Sequence, residues 1–182
     1  MKEKILDIAA QLIARYGLKK FTVDEIAAEL KISKKTIYQY FNSKEDIIKE
    51  YFEVTVASDK ESVQRELNSN ENFLEKIHSI IHSNHQYRLP IALLNEAKLF
   101  YPDEWEKIEE LKQFKLDTIK NLLHQAADNN ILKQDTNFAV LTQMLDGISD
   151  MFIDYKFLIE NKLKTSEAID EAFKIILQGI LK

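Results

Sequence analysis

Chain breakers are scarce in this sequence, which has three glycines and two prolines among 182 residues. β-rich folds need frequent turn residues, so stretches this long without them commit the chain to helices. Hydrophobic residues at 45% and charged residues at 30% suit a packed core and argue against disorder. Cysteine is absent, which excludes disulfides, thiolate zinc sites and cysteine nucleophiles together. The opening MKEKILDIAAQL has helical spacing and no continuous apolar run of the signal-peptide kind. No stretch approaches the ~20 apolar residues that span a bilayer. The expectation is a cytoplasmic, all-α protein without a membrane partner.

Periodicity places the elements. Ile5, Ile8, Ala9, Leu12, Ile13 and Tyr16 form one buried stripe, closed by Gly17 as a left-handed C-cap. Thr22-Val-Asp-Glu25 is a capping box opening a short helix through Leu30. Ser33 caps a third helix of about two turns, through Ile37 to Phe41. Ser43-Lys-Glu-Asp46 opens a fourth, running to about Asn68. Only Lys31-Ile32-Ser33 separates the second helix from the third, which is the helix-turn-helix spacing. Longer helices follow: one from Phe73 and closed by Pro90, one from Trp105 to about Asn129, one from Phe138 to about Asn161, and one from Ser166 to Leu181. The expected organisation is a three-helix helix-turn-helix domain over residues 1–47 and a larger helical domain over 48–182, to which the family resemblance described below assigns DNA binding and ligand binding with dimerisation respectively.

The stretch Leu30 to Lys44 carries four lysines, three aromatics and no acid, inside a chain of formal net charge −5. A basic patch on an acidic protein suits a polyanion at one end only. Lys34 and Lys35 sit in the first turn of the third helix, where side chains reach base edges first. Thr36 and Tyr40 lie further along with hydroxyls and apolar surface. Tyr38 suits a phosphate oxygen, and Lys44 adds its charge to the N-terminus of the fourth helix. Ile37 and Phe41 face inward. A solvated lysine face is the plainer alternative, and a helical interaction module using the basic head on another polyanion is the alternative function.

Thr22-Val-Asp-Glu-Ile26-Ala27, then Leu30-Lys-Ile-Ser-Lys-Lys-Thr-Ile-Tyr-Gln-Tyr-Phe41, then Lys44, resembles the N-terminal domain of the TetR (tetracycline-repressor) family of bacterial transcription regulators. The resemblance covers about the first 50 residues. It implies a homodimer that binds a double-stranded DNA operator, most often as a repressor released from a palindrome when an unidentified small-molecule effector binds the C-terminal domain. It carries phosphate contacts to Thr22, Tyr38 and Lys44, and base contacts to the surface of Lys34, Lys35, Thr36 and Tyr40. The sequence departs from the family where Lys31 and Lys35 stand at positions that are often glycine. A left-handed Lys31 costs roughly 1 kcal/mol relative to glycine.

The last two helices offer Leu141, Leu145, Ile148 and Phe152 on one and Phe173, Ile176, Leu177 and Ile180 on the other. These form either a two-fold four-helix interface or an ordinary internal core; a dimer is expected, with mid-helix Gly147 permitting close approach. Tyr87, Phe100, Trp105, Phe114, Met144 and Met151, joined by His78 and His82, line an apolar effector pocket or belong to the core. His78, His82 and His85 share one helical flank at a spacing that can hold a transition metal, but they read more simply as polar edge residues, so no metal or cofactor is expected. Asp146, Asp150 and Asp154 read as a solvated row. An enzyme is not expected: there is no glycine-rich phosphate loop, and Glu75-Lys-Ile-His78 is the sole Glu-x-x-His, whereas a di-metal carboxylate bundle needs two.

Overall fold

The computed structural model describes residues 1–83, 86–87, 89–151 and 155–181. Ten helices are described: α1 (Lys2–Tyr16), α2 (Val23–Leu30), α3 (Lys34–Ile37), α4 (Lys44–Leu67), α5 (Phe73–Ile81), α6 (Ile91–Phe100), α7 (Pro102–Asp128), α8 (Phe138–Met151), α9 (Tyr155–Asn161) and α10 (Thr165–Ile180). Among the described residues there is no β-strand, only an isolated bridge between Leu132 and Leu181. No helix among them is long and apolar enough to cross a membrane.

Packing divides the chain into two compact units, Met1–Lys60 with Asn84–Glu110, and Glu61–Ser83 with Leu111–Lys182. The boundary expected after residue 47 therefore falls inside α4, which continues unbroken to Leu67. In the first unit, Ile5, Ala9 and Ile13 of α1, Ile26 of α2, Ile37 of α3, and Ile47, Ile48 and Phe52 of α4 share one core with Leu93 and Ala97 of α6. Tyr87 joins that core. Its ring stacks on Tyr51 at 5.4 Å, and its hydroxyl donates to Asp7 Oδ1 at 2.9 Å. Burial, reinforced by Asp7, pushes the Tyr87 hydroxyl up to about 12, so it remains a donor.

The second unit has its own core: Val63 of α4, Ile77 and Ile80 of α5, Ile119, Leu122, Leu123 and Ala126 of α7, Leu141, Leu145 and Ile148 of α8, and Phe173 and Leu177 of α10. α5 is set by a capping box in which Asn72 Oδ1 accepts from the Leu74 and Glu75 N–H groups at 3.0 and 3.1 Å, while the Asn72 N–H donates to Glu75 Oε2 at 3.0 Å.

Three expectations need correction. α5 ends at Ile81, and the separate α6 follows Pro90. The third helix is a single turn, Lys34–Ile37, continued by hydrogen-bonded turns in which the Tyr40 and Phe41 N–H groups donate to the Ile37 carbonyl at 2.9 and 3.1 Å. Gly17 has the expected positive φ of 85°, but its ψ of 173° extends the chain where a left-handed cap would curl it. The reason is Glu96 of α6, whose Oε2 accepts from the Leu18 N–H at 2.6 Å. The backbone angle favours glycine, and a Cβ on Gly17 would stand 2.7 Å from the same oxygen, so the Glu96 carboxylate would have to move to admit one.

Candidate nucleic-acid interface

The helix-turn-helix is built by two caps and one strained residue. Thr22 Oγ1 accepts from the Glu25 N–H at 3.2 Å and Glu25 Oε2 accepts from the Thr22 N–H at 2.7 Å, completing the capping box that opens α2. α2 stops at Lys31, which takes the left-handed conformation at φ 54° and ψ 42° and donates to the Ala27 and Ala28 carbonyls. Ser33 Oγ then accepts from the Thr36 N–H at 3.1 Å and opens α3. With Ile37 and Phe41 buried, the opposite side of this segment faces outward. Truncating a fully packed phenylalanine such as Phe41 costs about 3–5 kcal/mol, so these two residues fix the presentation of everything beside them.

Lys35, Tyr38 and Tyr40 are exposed on that outward side, the two tyrosines at 49% and 44%. The remaining site residues already have partners. Lys34 Nζ lies 2.7 Å from Asp24 Oδ1, and this contact raises the Lys34 ammonium above its ordinary value. Thr36 Oγ1 is 2.9 Å from Ser33 Oγ, within the cap. Thr22 Oγ1 also donates to Glu25 Oε2 at 2.9 Å. Lys44 Nζ donates to the Lys19 carbonyl at 2.7 Å and lies 4.5 Å from the centre of the Phe21 ring; burial lowers it from its ordinary value. Lys44 thus ties the start of α4 to the loop after α1, and its charge reaches a phosphate only by exchanging that carbonyl. Sequence reading missed Asp24 and Glu96, because each acts across helices and belongs to no local pattern.

The residues expected around an effector are divided between the units. Tyr87, Phe100 and Trp105 belong to the first, where Lys19 Nζ covers the Phe100 ring at 3.8 Å and Lys98 Nζ approaches Trp105 at 5.5 Å. His78, His82, Phe114, Met144 and Met151 belong to the second. There Phe114 packs against the core, while Met144 and Met151 are 50% and 64% exposed. His78 and His82 converge on Asp170 of α10, a residue absent from the sequence-based expectation. Asp146 pairs with Lys120 at 2.7 Å. His85, Asp154 and Phe152 lie outside the described residues, as does the side chain of Asp150.

Leu141, Leu145, Ile148, Phe173 and Leu177 are buried in the second unit's own core, and Ile176 and Ile180 pack against it. What α8 and α10 leave exposed lies one residue away, about 100° round each helix. On α8 it is Val140, Met144 and Met151, and on α10 Ile175, at 55%, 50%, 64% and 64% exposure. Gly147 and Gly179 stand on the same stripes, and a Cβ on either would meet nothing within 4 Å.

Comparison with known proteins agrees with the geometry of the head. Residues 5–51 match the family described as bacterial regulatory proteins, tetR family. An uncharacterized HTH-type transcriptional regulator of Bacillus subtilis, YvaF, is 26% identical over 184 residues, covering 99% of this chain and 95% of that protein. The fatty acid metabolism regulator protein of the same organism is 22% identical over 97% of this chain and 94% of its own length. Among solved structures, a transcriptional regulator from Saccharomonospora viridis in complex with choline superposes with a TM-score of 0.77 at 19% identity, over 100% of this chain and 97% of that one, a likeness of fold. The helix-turn-helix geometry and the family match that covers it agree: residues 5–51 are similar to the DNA-binding domain of the tetR family, and along its whole length the chain is similar to transcriptional regulators.

Proposed function

We propose that the protein is a homodimeric repressor that binds a palindromic operator through residues 1–47 of each copy and releases it when a small organic molecule binds the helical remainder. The observation that carries the DNA reading is the outward surface of Lys35, Tyr38 and Tyr40, held by buried Ile37 and Phe41. A cation and two phenols on a fixed, acid-free turn suit phosphates and base edges, and each phosphate neutralised makes affinity steeply salt-dependent. For the effector, the support is that one relative is named for fatty acid metabolism and one similar structure holds choline. Small organic ligands of that kind suit an apolar helical domain with few polar groups.

The dimer reading rests on the α8 and α10 stripes. Val140, Met144, Gly147 and Met151 recur at alternating steps of four and three, and Ile175 and Gly179 are four apart, so each set shares one face. Exposed methionine, valine and isoleucine beside two glycines with empty space above them suit close helix–helix contact with a second copy. A two-fold protein matches a two-fold site on DNA.

Selection of duplexes from a random-sequence pool tests the reading. Enrichment of one inverted repeat, bound more weakly as salt rises, is expected. Recovery of sequences no different from the starting pool contradicts it.

A further inference from the structure

α5 and α10 bring three metal-ligating side chains to one point. His78 and His82 are one turn apart, and buried Ile77 and Ile80 fix which way the helix faces. His82 follows the last helical residue but keeps the register, its N–H donating to the His78 carbonyl at 2.9 Å. Asp170 comes from α10, whose Phe173 and Leu177 share a core with Ile77 and Ile80. The partners are 92 positions apart in sequence for His78 and Asp170, so their meeting is a product of the fold.

The geometry points to a site for one divalent transition-metal ion of the zinc class, held by His78, His82 and Asp170. His78 Nδ1 is 2.9 Å from Asp170 Oδ1, and His82 Nε2 is 3.6 Å from Asp170 Oδ2. One ligand atom from each residue lies within 4.8 Å of the others, and the two imidazole centroids are 4.4 Å apart. Ligands about 2.0–2.1 Å from a tetrahedral zinc stand about 3.3 Å from one another, so the observed separations close on an ion with small side-chain rotations.

A plain histidine–aspartate pair accounts for less. It satisfies His78 alone. His82 Nε2 is shut off from solvent and has no hydrogen-bond partner among the described residues. A buried ring nitrogen without a partner is costly, and an ion bridging it to Asp170 supplies one. Two imidazoles and one carboxylate suit zinc, cobalt or nickel, whereas magnesium and calcium take oxygen sets. An ion at this point would take Nδ1 of His78 and Nε2 of His82, the two ring nitrogens that face Asp170.

Three protein ligands leave a coordination position open. On the side of His78 and Asp170 runs an open groove of about 350 Å³, walled by Leu74, Ile77, Phe173 and Leu177. The groove leaves room beside His78 and Asp170 for water or a donor atom of a small ligand. An ion here joins α5 to α10 and does not depend on the DNA reading.

The test uses the full chain without a histidine tag, freed of metal with a chelator. Cobalt titration followed by visible absorbance, and zinc titration against a chromophoric chelator, should each give one ion per chain. His78→Ala, His82→Gln and Asp170→Asn should each weaken binding at least tenfold, while His124→Ala, at a ring that stacks on Phe138 4.6 Å away, leaves it unchanged. His78 is mostly exposed, so its variant retains the fold if the others do not, and circular dichroism checks each. Zinc should raise the melting temperature of the parent and not of the variants. No bound ion, or binding that the three substitutions leave intact, overturns the site.

Discussion

In the head, the residues that face outward are neighbours in sequence: Lys34, Lys35, Tyr38 and Tyr40 lie along one short turn held by Ser33, Ile37 and Phe41. In the second unit the chemistry is assembled from a distance, as when Asp170 of α10 meets His78 and His82 of α5. A surface made by one local motif is readable from spacing. One made by packing is readable only once the helices are placed. The two regions also treat charge differently. The head sets lysines against a few acids that restrain them, such as Asp24 beside Lys34, while the exposed stripe of α8, Val140, Met144, Gly147 and Met151, carries no charge.

The largest effect expected from separating these roles comes from the stripe. Met144→Asp with Ile175→Asp should leave helicity intact, because both side chains are exposed. It should produce monomers in sedimentation and lower affinity for the selected inverted repeat by about 100-fold or more, the loss of linkage between two half-sites. Unchanged self-association would remove the stripe from the proposal while leaving the head untouched.

Gly17→Ala strikes the first unit. Its backbone angles are nearly restricted to glycine, and the added Cβ displaces Glu96 from the Leu18 N–H. A loss of about 1–3 kcal/mol is expected in denaturant unfolding. A loss below a few tenths would mean the loop relaxes freely and that Glu96 does little to hold it.

Within the head, Lys35→Ala should lower affinity for the selected repeat about tenfold and change which base pairs are preferred beside it, the signature of a lost base-edge contact in each copy. Lys34→Ala should do less, since that ammonium is already paired. Asp24→Asn should tighten binding a few-fold by freeing Lys34, a small effect because the pair is exposed to solvent. Equal effects of the two lysine substitutions would show that the ion pair opens at no cost on DNA. The smallest change is Lys31→Gly, which relieves the left-handed lysine. It should stabilise the protein by about 0.5–1 kcal/mol in unfolding experiments while slightly weakening DNA binding through the lost charge.

Much of this was legible before the helices were placed. The capping box at Thr22, the stop at Lys31, the cap at Ser33 and the inward pair Ile37 and Phe41 all follow from spacing, because each interaction spans four residues or fewer. α6 was not legible. Its buried positions are Leu93 and Ala97, but Leu99 and Phe100 are exposed at 73% and 50%, so its apolar residues follow no single face. The choice between core and interface on α8 was not legible either. Leu141 and Val140 are both apolar neighbours, and only the core that Leu141 shares with Ile77, Phe173 and Leu177 decides that it turns inward. Lys34 and Lys44 look alike as free lysines in the sequence, yet Asp24 and the Lys19 carbonyl hold them.

The central claim is that two copies of this chain, paired through α8 and α10, place two heads on one inverted repeat. Sedimentation velocity of the protein with the fluorescently labelled repeat, at two salt concentrations, tests it most directly. Two protomers per duplex, with a complex that dissociates as salt rises, is the expected result. One protomer per duplex at saturation, or sedimentation unchanged by the inverted repeat relative to a scrambled duplex, would contradict it.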